Sequence, residues 1–210
     1  MGERPIVHIR LLSEDDLAAI VALHGDLFPS SRSTLLGPAF LRAMYRWFLT
    51  FYPDLALVAE AGGNCVGFAV GSLGGYGRRI ARSAWRQILL GLCRRPYLTL
   101  RPGMFRLLGS YAMAFFPRRS VQPVVPKVSL ASIGVDRSTQ QSGIGAALLR
   151  RFEEQAKRRN ASVLGLSVES TNHAARRLYQ RCGWTLRSED RQVESAYYIK
   201  HLDTVSGFNE

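Results

Sequence analysis

Short apolar runs of period two alternate with longer stretches of period 3.6 along most of this chain. Ile6 to Arg10, Leu55 to Glu60 and Cys65 to Gly71 have strand lengths and strand patterning. Ala61-Gly62-Gly63-Asn64 separates the last two and predicts a hairpin. Two helical patterns lie between the first and second strands. Ser13 caps the earlier one, Asp15 and Asp16 follow in its first turn, and Leu17, Ile20, Val21, Leu23 and Leu27 form its apolar set. After a loop containing Pro29, the later one runs from about Pro38 to Phe51 with Leu41, Met44, Tyr45 and Phe48 on one side. Further on, 130–135 and 163–168 read as strands, 146–159 and 173–181 as helices, and 184–189 and 195–201 as final strands. Helix 146–159 turns Leu148, Leu149, Phe152 and Ala156 inward and Glu153, Lys157 and Arg158 outward. No internal repeat is evident.

The strand ending at Val135 and the helix after it enclose Gln140-Gln141-Ser142-Gly143-Ile144-Gly145-Ala146. A strand, a glycine loop and a helix start aim unpaired backbone N–H groups, at the positive end of a helix dipole, toward one point. Such a point holds a pyrophosphate well. Gly143 and Gly145 suit close approach of phosphate oxygens or a backbone angle that a side chain would strain. A dinucleotide fingerprint is excluded because Leu148 stands where its third glycine belongs. A triphosphate P-loop is excluded because no Gly-Lys-Ser/Thr follows.

The strand 163–168 is followed by Asn172-His173-Ala174-Ala175-Arg176-Arg177-Leu178-Tyr179 and then Cys182-Gly183-Trp184. Asn172 is a good helix N-cap and Gly183 a good C-cap. Here the chain resembles the GNAT superfamily of acyl-CoA-dependent N-acyltransferases. Its phosphate loop, Gln/Arg-x-x-Gly-x-Gly/Ala, matches Gln140, Gly143, Gly145 and the run to Ala146. Its Asn-x-x-Ala-x-x-Leu-Tyr-x-x-x-Gly-aromatic pattern matches residues 172 to 184. The resemblance covers nearly the whole chain outside 72–126. It implies an α/β fold, a mixed sheet flanked by helices, with a helical insertion between the third and fourth strands.

The resemblance also implies a reaction: an acetyl group moves from acetyl-CoA to a primary amine by direct attack in a ternary complex. The pyrophosphate would rest on N–H groups from Gln141, Ser142, Gly143, Ile144, Gly145 and Ala146, with Gln140 closing the loop. Pantetheine would pair with the strand edge at Ile133, Gly134 and Val135, left open by a splay in the sheet. A backbone N–H near Val135 would stabilise the oxyanion. Asn172 would cap its helix and touch pantetheine, and Tyr179 would protonate the departing thiolate. In ribosomal-protein N-terminal acetyltransferases, a look-alike subgroup, a glutamate precedes the Asn motif as base; Ser167 holds that position here. Glu169, two residues on, is the first candidate base and Glu60 the second, with a water chain as the remaining option. Two rival functions stay open: a non-catalytic acyl-CoA-binding module acting at a membrane or partner surface, and an N-acyltransferase for longer acyl chains.

Composition narrows the setting. At 210 residues and 47% hydrophobic, the chain can bury a core, and a single domain, 1–210, is expected. No uninterrupted apolar run reaches the roughly 20 residues of a membrane-spanning helix, and Met-Gly-Glu-Arg-Pro lacks a signal-peptide core. Cys65, Cys93 and Cys182 are odd in number and widely spaced, which suits a reducing cytoplasm. Cys93 and Cys182 read as buried or half-buried structural thiols, and no metal site is expected.

Net charge is +12, and residues 72–126 supply +10 of it through ten arginines with no Asp, Glu or Lys. Arg78, Arg82 and Arg86 at spacings of four, opposite Ala81, Trp85, Ile88, Leu89 and Leu92, predict an amphipathic helix ending near Cys93. A second apolar run covers 103–116. Three roles stand open for this insertion: a substrate lid or homodimer interface, a surface for an anionic acceptor such as a nucleotide- or lipid-linked amino sugar, or attachment to the anionic inner membrane face. Basic charge alone permits nucleic-acid binding, but no reader motif accompanies it.

Overall fold

The computed structural model describes residues 7–96, 127–190 and 194–202. They form a seven-stranded sheet, with β1 (Val7–Leu11), β2 (Ala56–Ala61), β3 (Asn64–Leu73), β4 (Lys127–Val135), β5 (Val163–Glu169), β6 (Thr185–Asp190) and β7 (Ser195–His201) in the order β1-β2-β3-β4-β5-β7-β6. Neighbours are antiparallel except β4 and β5, which are parallel. The helices are α1 (Leu17–Leu27), α2 (Arg32–Leu35), α3 (Pro38–Phe51), α4 (Gly77–Ser83), α5 (Trp85–Arg94), α6 (Ile144–Arg158) and α7 (His173–Arg181). The chain is thus a mixed α/β fold.

Apolar patterning explains most of these elements. In α3, Pro38 opens the helix at its first position and Phe40, Leu41, Tyr45 and Phe48 are buried. In α6, Leu148, Leu149, Phe152 and Ala156 have no exposed surface. The first helix differs in detail from the expected one. Glu14–Asp16 form a 3-10 turn ahead of α1, and the Asp16 carboxylate accepts from the Ser13 N–H and hydroxyl, each at 2.8 Å. Arg10 grips the same carboxylate at 2.7 and 2.8 Å, which holds its pKa well down, at about 2. The short helix α2 was not visible in the pattern, because four residues are too few for a helical period to show.

Glu153 corrects the expected polar face of α6: it is buried, not outward. Its carboxylate accepts from the Trp184 indole N–H at 3.0 Å and from Lys200 Nζ at 2.7 Å. Lys200 also donates to the Cys182 carbonyl at 2.6 Å. Burial is tolerated there because both charges are paired.

The predicted arginine helix is corrected as well. The chain breaks at Ala84, which is buried with φ −107° and ψ 22°, so Arg78 and Arg82 lie on α4 and Arg86 on α5. Ile80, Ala81, Ile88 and Gly91 face inward, whereas Trp85 and Leu89, expected inside, are exposed. Cys93 is also exposed rather than buried; Cys65 and Cys182 are half-buried. The apolar run 103–116 lies outside the described residues.

Candidate active site

The parallel strands β4 and β5 stay together over only part of their lengths. Their register runs from Lys127↔Val163 to Leu130↔Leu166. Beyond that rung β4 remains paired with β3, through Ile133↔Ala69, Gly134↔Phe68 and Val135↔Gly67, while β5 remains paired with β7 as far as Glu169↔Ser195. A register shift between Val70 and Gly71 accompanies the parting. One edge of β4 is therefore unpaired with β5 along Ile133, Gly134 and Val135. An open edge of this kind can receive an extended, amide-bearing ligand.

The loop leaving this edge is held mainly by its own backbone and short side chains. Asp136 donates its N–H to the Val66 carbonyl at 2.8 Å and caps a 3-10 turn, accepting from Ser138 N–H at 2.8 Å. Gln140 Nε2 reaches back to the Val135 carbonyl at 3.1 Å, and the Ser142 hydroxyl donates to the Thr139 carbonyl. Gln141 adopts φ 64°, and Gly143, the N-cap of α6, adopts φ 87°. The first backbone bond closing α6 from the loop runs from Ala147 N–H to Gly143 O at 3.0 Å. The N–H groups of Ile144, Gly145 and Ala146 precede that bond and project from the helix end.

The two glycines serve different ends. A Cβ on Gly143 would meet open space, so its left-handed backbone angle is what demands glycine. A Cβ on Gly145 would lie 3.0 Å from Leu178 Cδ2. Gly145 thus lets α7 lie against the start of α6, a packing reason beside the expected one of phosphate access.

At the end of β5 a turn fixes the next group of residues. Asn172 donates its N–H to the Glu169 carbonyl at 2.9 Å, and its Oδ1 accepts from Ala175 N–H at 3.1 Å. β5 does continue through Ser167 to Glu169, and both residues are exposed on one strand face. Tyr179, on the inner face of α7, is buried; its ring centroid lies 6.1 Å from that of Trp184 and 6.0 Å from that of Tyr198. Tyr198 is the register partner of Leu166, at the rung where β4 and β5 part. Burial pushes the Tyr179 phenol pKa upward, so it is protonated at neutral pH.

A pocket of about 330 Å³ opens across the sheet at the same parting. Ala131 and Ser132 of β4 and Glu169 of β5 form one wall, and Phe40, Met44 and Phe48 of α3 supply apolar surface. Tyr76, Gly77 and Ile80, at the start of α4, close another side. Ser31, Arg32, Ser33 and His24 complete it. Glu60 does not line this pocket; its carboxylate pairs with Arg10 at 2.8 Å.

His24 is the functional candidate that sequence reasoning missed. It shares the inward face of α1 with Leu17 and Ile20, at intervals of seven and four, and that spacing was the available signal. Its Nδ1 lies 2.5 Å from the Tyr45 hydroxyl and its Nε2 3.2 Å from Ser33 Oγ. Tyr45 is fully buried and also interacts with the Ser132 side chain, so a polar chain runs from the pocket serines to β4. Desolvation lowers the His24 pKa to about 4, which keeps the imidazole neutral at pH 7.

A split parallel pair thus has a helix N-terminus at one side and a pocket at the other. The model of the acetyltransferase (GNAT) family matches residues 17–184, and the chain belongs to that family. Solved structures with the same fold include an N-acetyltransferase from Staphylococcus aureus Mu50 (19% identity, 93% of this chain and 98% of that one, TM-score 0.58). yncA, a putative acetyltransferase from Salmonella typhimurium solved with acetyl-CoA, is similar at 21% identity, 96% of each chain and TM-score 0.59. The NatC complex bound to Gag peptide and CoA gives 17% identity, 93% and 98% coverage, and TM-score 0.60. No curated protein matches the chain by sequence.

Proposed function

We propose that this chain transfers an acetyl group from acetyl-CoA to a primary amine by direct attack at the parting of β4 and β5. The observation that carries this reading is the pairing of an open β4 edge with a glycine-capped helix end on one side and a pocket holding Glu169 on the other. Similar structures solved with acetyl-CoA or CoA support the choice of donor.

In this reading the diphosphate rests on the N–H groups from Gln141 to Ala146, and pantetheine pairs along Ile133 to Val135. The bond from Gln140 to the Val135 carbonyl keeps loop and strand in register. An N–H near Val135 holds the oxyanion of the tetrahedral intermediate, a contact worth roughly 3 kcal/mol in such reactions. The pocket receives the amine. With a pKa near 10, a free amine is only about 0.1% neutral at pH 7, so Glu169 removes a proton, directly or through water, before attack. Tyr179 returns a proton to the leaving thiolate. Asn172 fixes the carbonyl of Glu169 and the start of α7, and its side chain borders the pantetheine. Arg32 at the pocket and Glu169 give the acceptor one anionic and one cationic anchor, consistent with an amine that also carries a negative group, such as a nucleotide- or lipid-linked amino sugar.

The test is thiol release from acetyl-CoA with a panel of amines, with and without an anionic group, alongside calorimetry with CoA. Absence of CoA binding heat would sink the reading. A second reading is favoured by Phe40, Met44, Phe48 and Ile80 in the pocket: a longer acyl chain occupies that apolar surface. Faster turnover of octanoyl-CoA than of acetyl-CoA would favour it.

A further inference from the structure

The outward face of α5 has no place in the transfer reaction. Ala84, Ile88 and Gly91 bury the inward side; a Cβ on Gly91 would lie 2.5 Å from the Leu36 carbonyl oxygen, so the helix sits tightly on the turn that ends α2. On the other side Trp85, Leu89 and Cys93 follow at intervals of four and are all exposed. Arg86, Leu90 and Arg94 form a parallel exposed row beside them. Trp85, Leu89 and Leu90 keep 47%, 53% and 54% of their surface open to solvent. The Arg86 guanidinium carbon lies 5.4 Å from the centre of the Trp85 ring.

We propose that this face docks on an anionic lipid surface, with Trp85, Leu89 and Leu90 entering the headgroup–acyl boundary and Arg86 and Arg94 meeting lipid phosphates. An apolar protein partner fits poorly, because it would strand two arginines without counter-charge. A lipid interface supplies an apolar layer and a phosphate layer within one helix diameter, and tryptophan and arginine favour that boundary. Charge complementarity extends beyond α5, since residues 72–126 contain ten arginines and no acid. α4, whose first turn borders the pocket, joins α5 through Ala84 alone. The inference stands whether or not the acyl-transfer reading does.

The protein carries its own reporter. Trp47 and Trp184 are 5% and 2% exposed, so a polarity-dependent change in tryptophan emission reports Trp85. Full-length protein is titrated with phosphatidylglycerol–phosphatidylcholine vesicles and with phosphatidylcholine vesicles alone, at low and high salt. The expected result is a blue shift and co-sedimentation with the anionic vesicles only, reversed by salt. Arg86→Gln and Arg94→Gln should each weaken the vesicle affinity about fivefold. Leu89→Ser with Leu90→Ser should abolish the blue shift while leaving the far-ultraviolet circular dichroism and the melting temperature unchanged, which shows the fold intact. Three results would overturn the proposal: no pelleting at low salt, binding that ignores the Leu89 and Leu90 changes, or Trp85 emission already blue and shielded from acrylamide before lipid is added. The last would mean that residues 97–126 cover the face.

Discussion

The two sides of the candidate site are built from different materials. On the β4–α6 side the groups on offer are main-chain: an unpaired strand edge and the projecting N–H groups of a helix end, shaped by Gly143 and Gly145. The pocket side is made of side chains that α1, α2, α3, α4, β4 and β5 bring together from positions 24 to 169. A main-chain surface is indifferent to most substitutions and sensitive to a few backbone angles. A side-chain surface can be retuned one residue at a time. The first suits a ligand that stays the same, the second one that varies.

The sharpest test is Tyr179→Phe, which removes the proposed acid of the leaving thiolate. Turnover should fall by about 1000-fold with acetyl-CoA affinity nearly unchanged, read from kcat and from calorimetry. Equal turnover in the mutant removes the tyrosine from the chemistry.

The next effect is one of pH on stability and belongs to the pocket side. His24 has its folded pKa lowered to about 4 from 6.5, so the unfolded chain binds more protons between those values. Its contribution is fully present above pH 6.5 and is lost as pH falls toward 4, by up to about 3 kcal/mol. Denaturant titrations across that window should show the loss in the parent and a flatter profile in His24→Asn. Asp16, held at about 2 by Arg10, contributes its own loss only below its ordinary value of 3.8, so the two windows separate. An unchanged profile in His24→Asn would show that the imidazole is not the group being titrated.

Glu169→Gln should lower kcat/KM by about 100-fold at neutral pH, with recovery as the pH rises and more amine is neutral. No recovery at high pH would point to a binding role instead. Smallest is the contrast between the glycines. Gly143→Ala should weaken acetyl-CoA binding by about 1–2 kcal/mol through its backbone angle. Gly145→Ala should lose about 1 kcal/mol that Leu178→Ala restores. Rescue of Gly143→Ala by the same second change would merge the two sides into one packing problem.

Much of the main-chain side could be read in advance. Gly143 and Gly145 are punctuation with local causes, and helix α7 and helix α3 were bounded at their observed ends because Asn172, Pro38 and the apolar spacing act within one or two turns. The pocket side resisted. His24 drew no attention within the apolar face of α1, and only its approach to Tyr45 and Ser33 gives it meaning. Glu153 looked like a solvated face residue until Trp184 and Lys200 closed on it from other elements. Ala84 broke an arginine repeat that spacing alone made continuous.

By itself, the chain determined the order of its strands and long helices, its cap at Asn172 and the concentration of arginine in 72–126, though it set the start of α6 two residues late, at Ala146 rather than Ile144. These depend on backbone sterics, local hydrogen bonding and composition, which act over a few residues. The tertiary structure decided which carboxylate is free and which is bound, where β4 and β5 part, and which face of α5 meets solvent. Those outcomes depend on desolvation and pairing between groups far apart in sequence, and no local pattern carries that information.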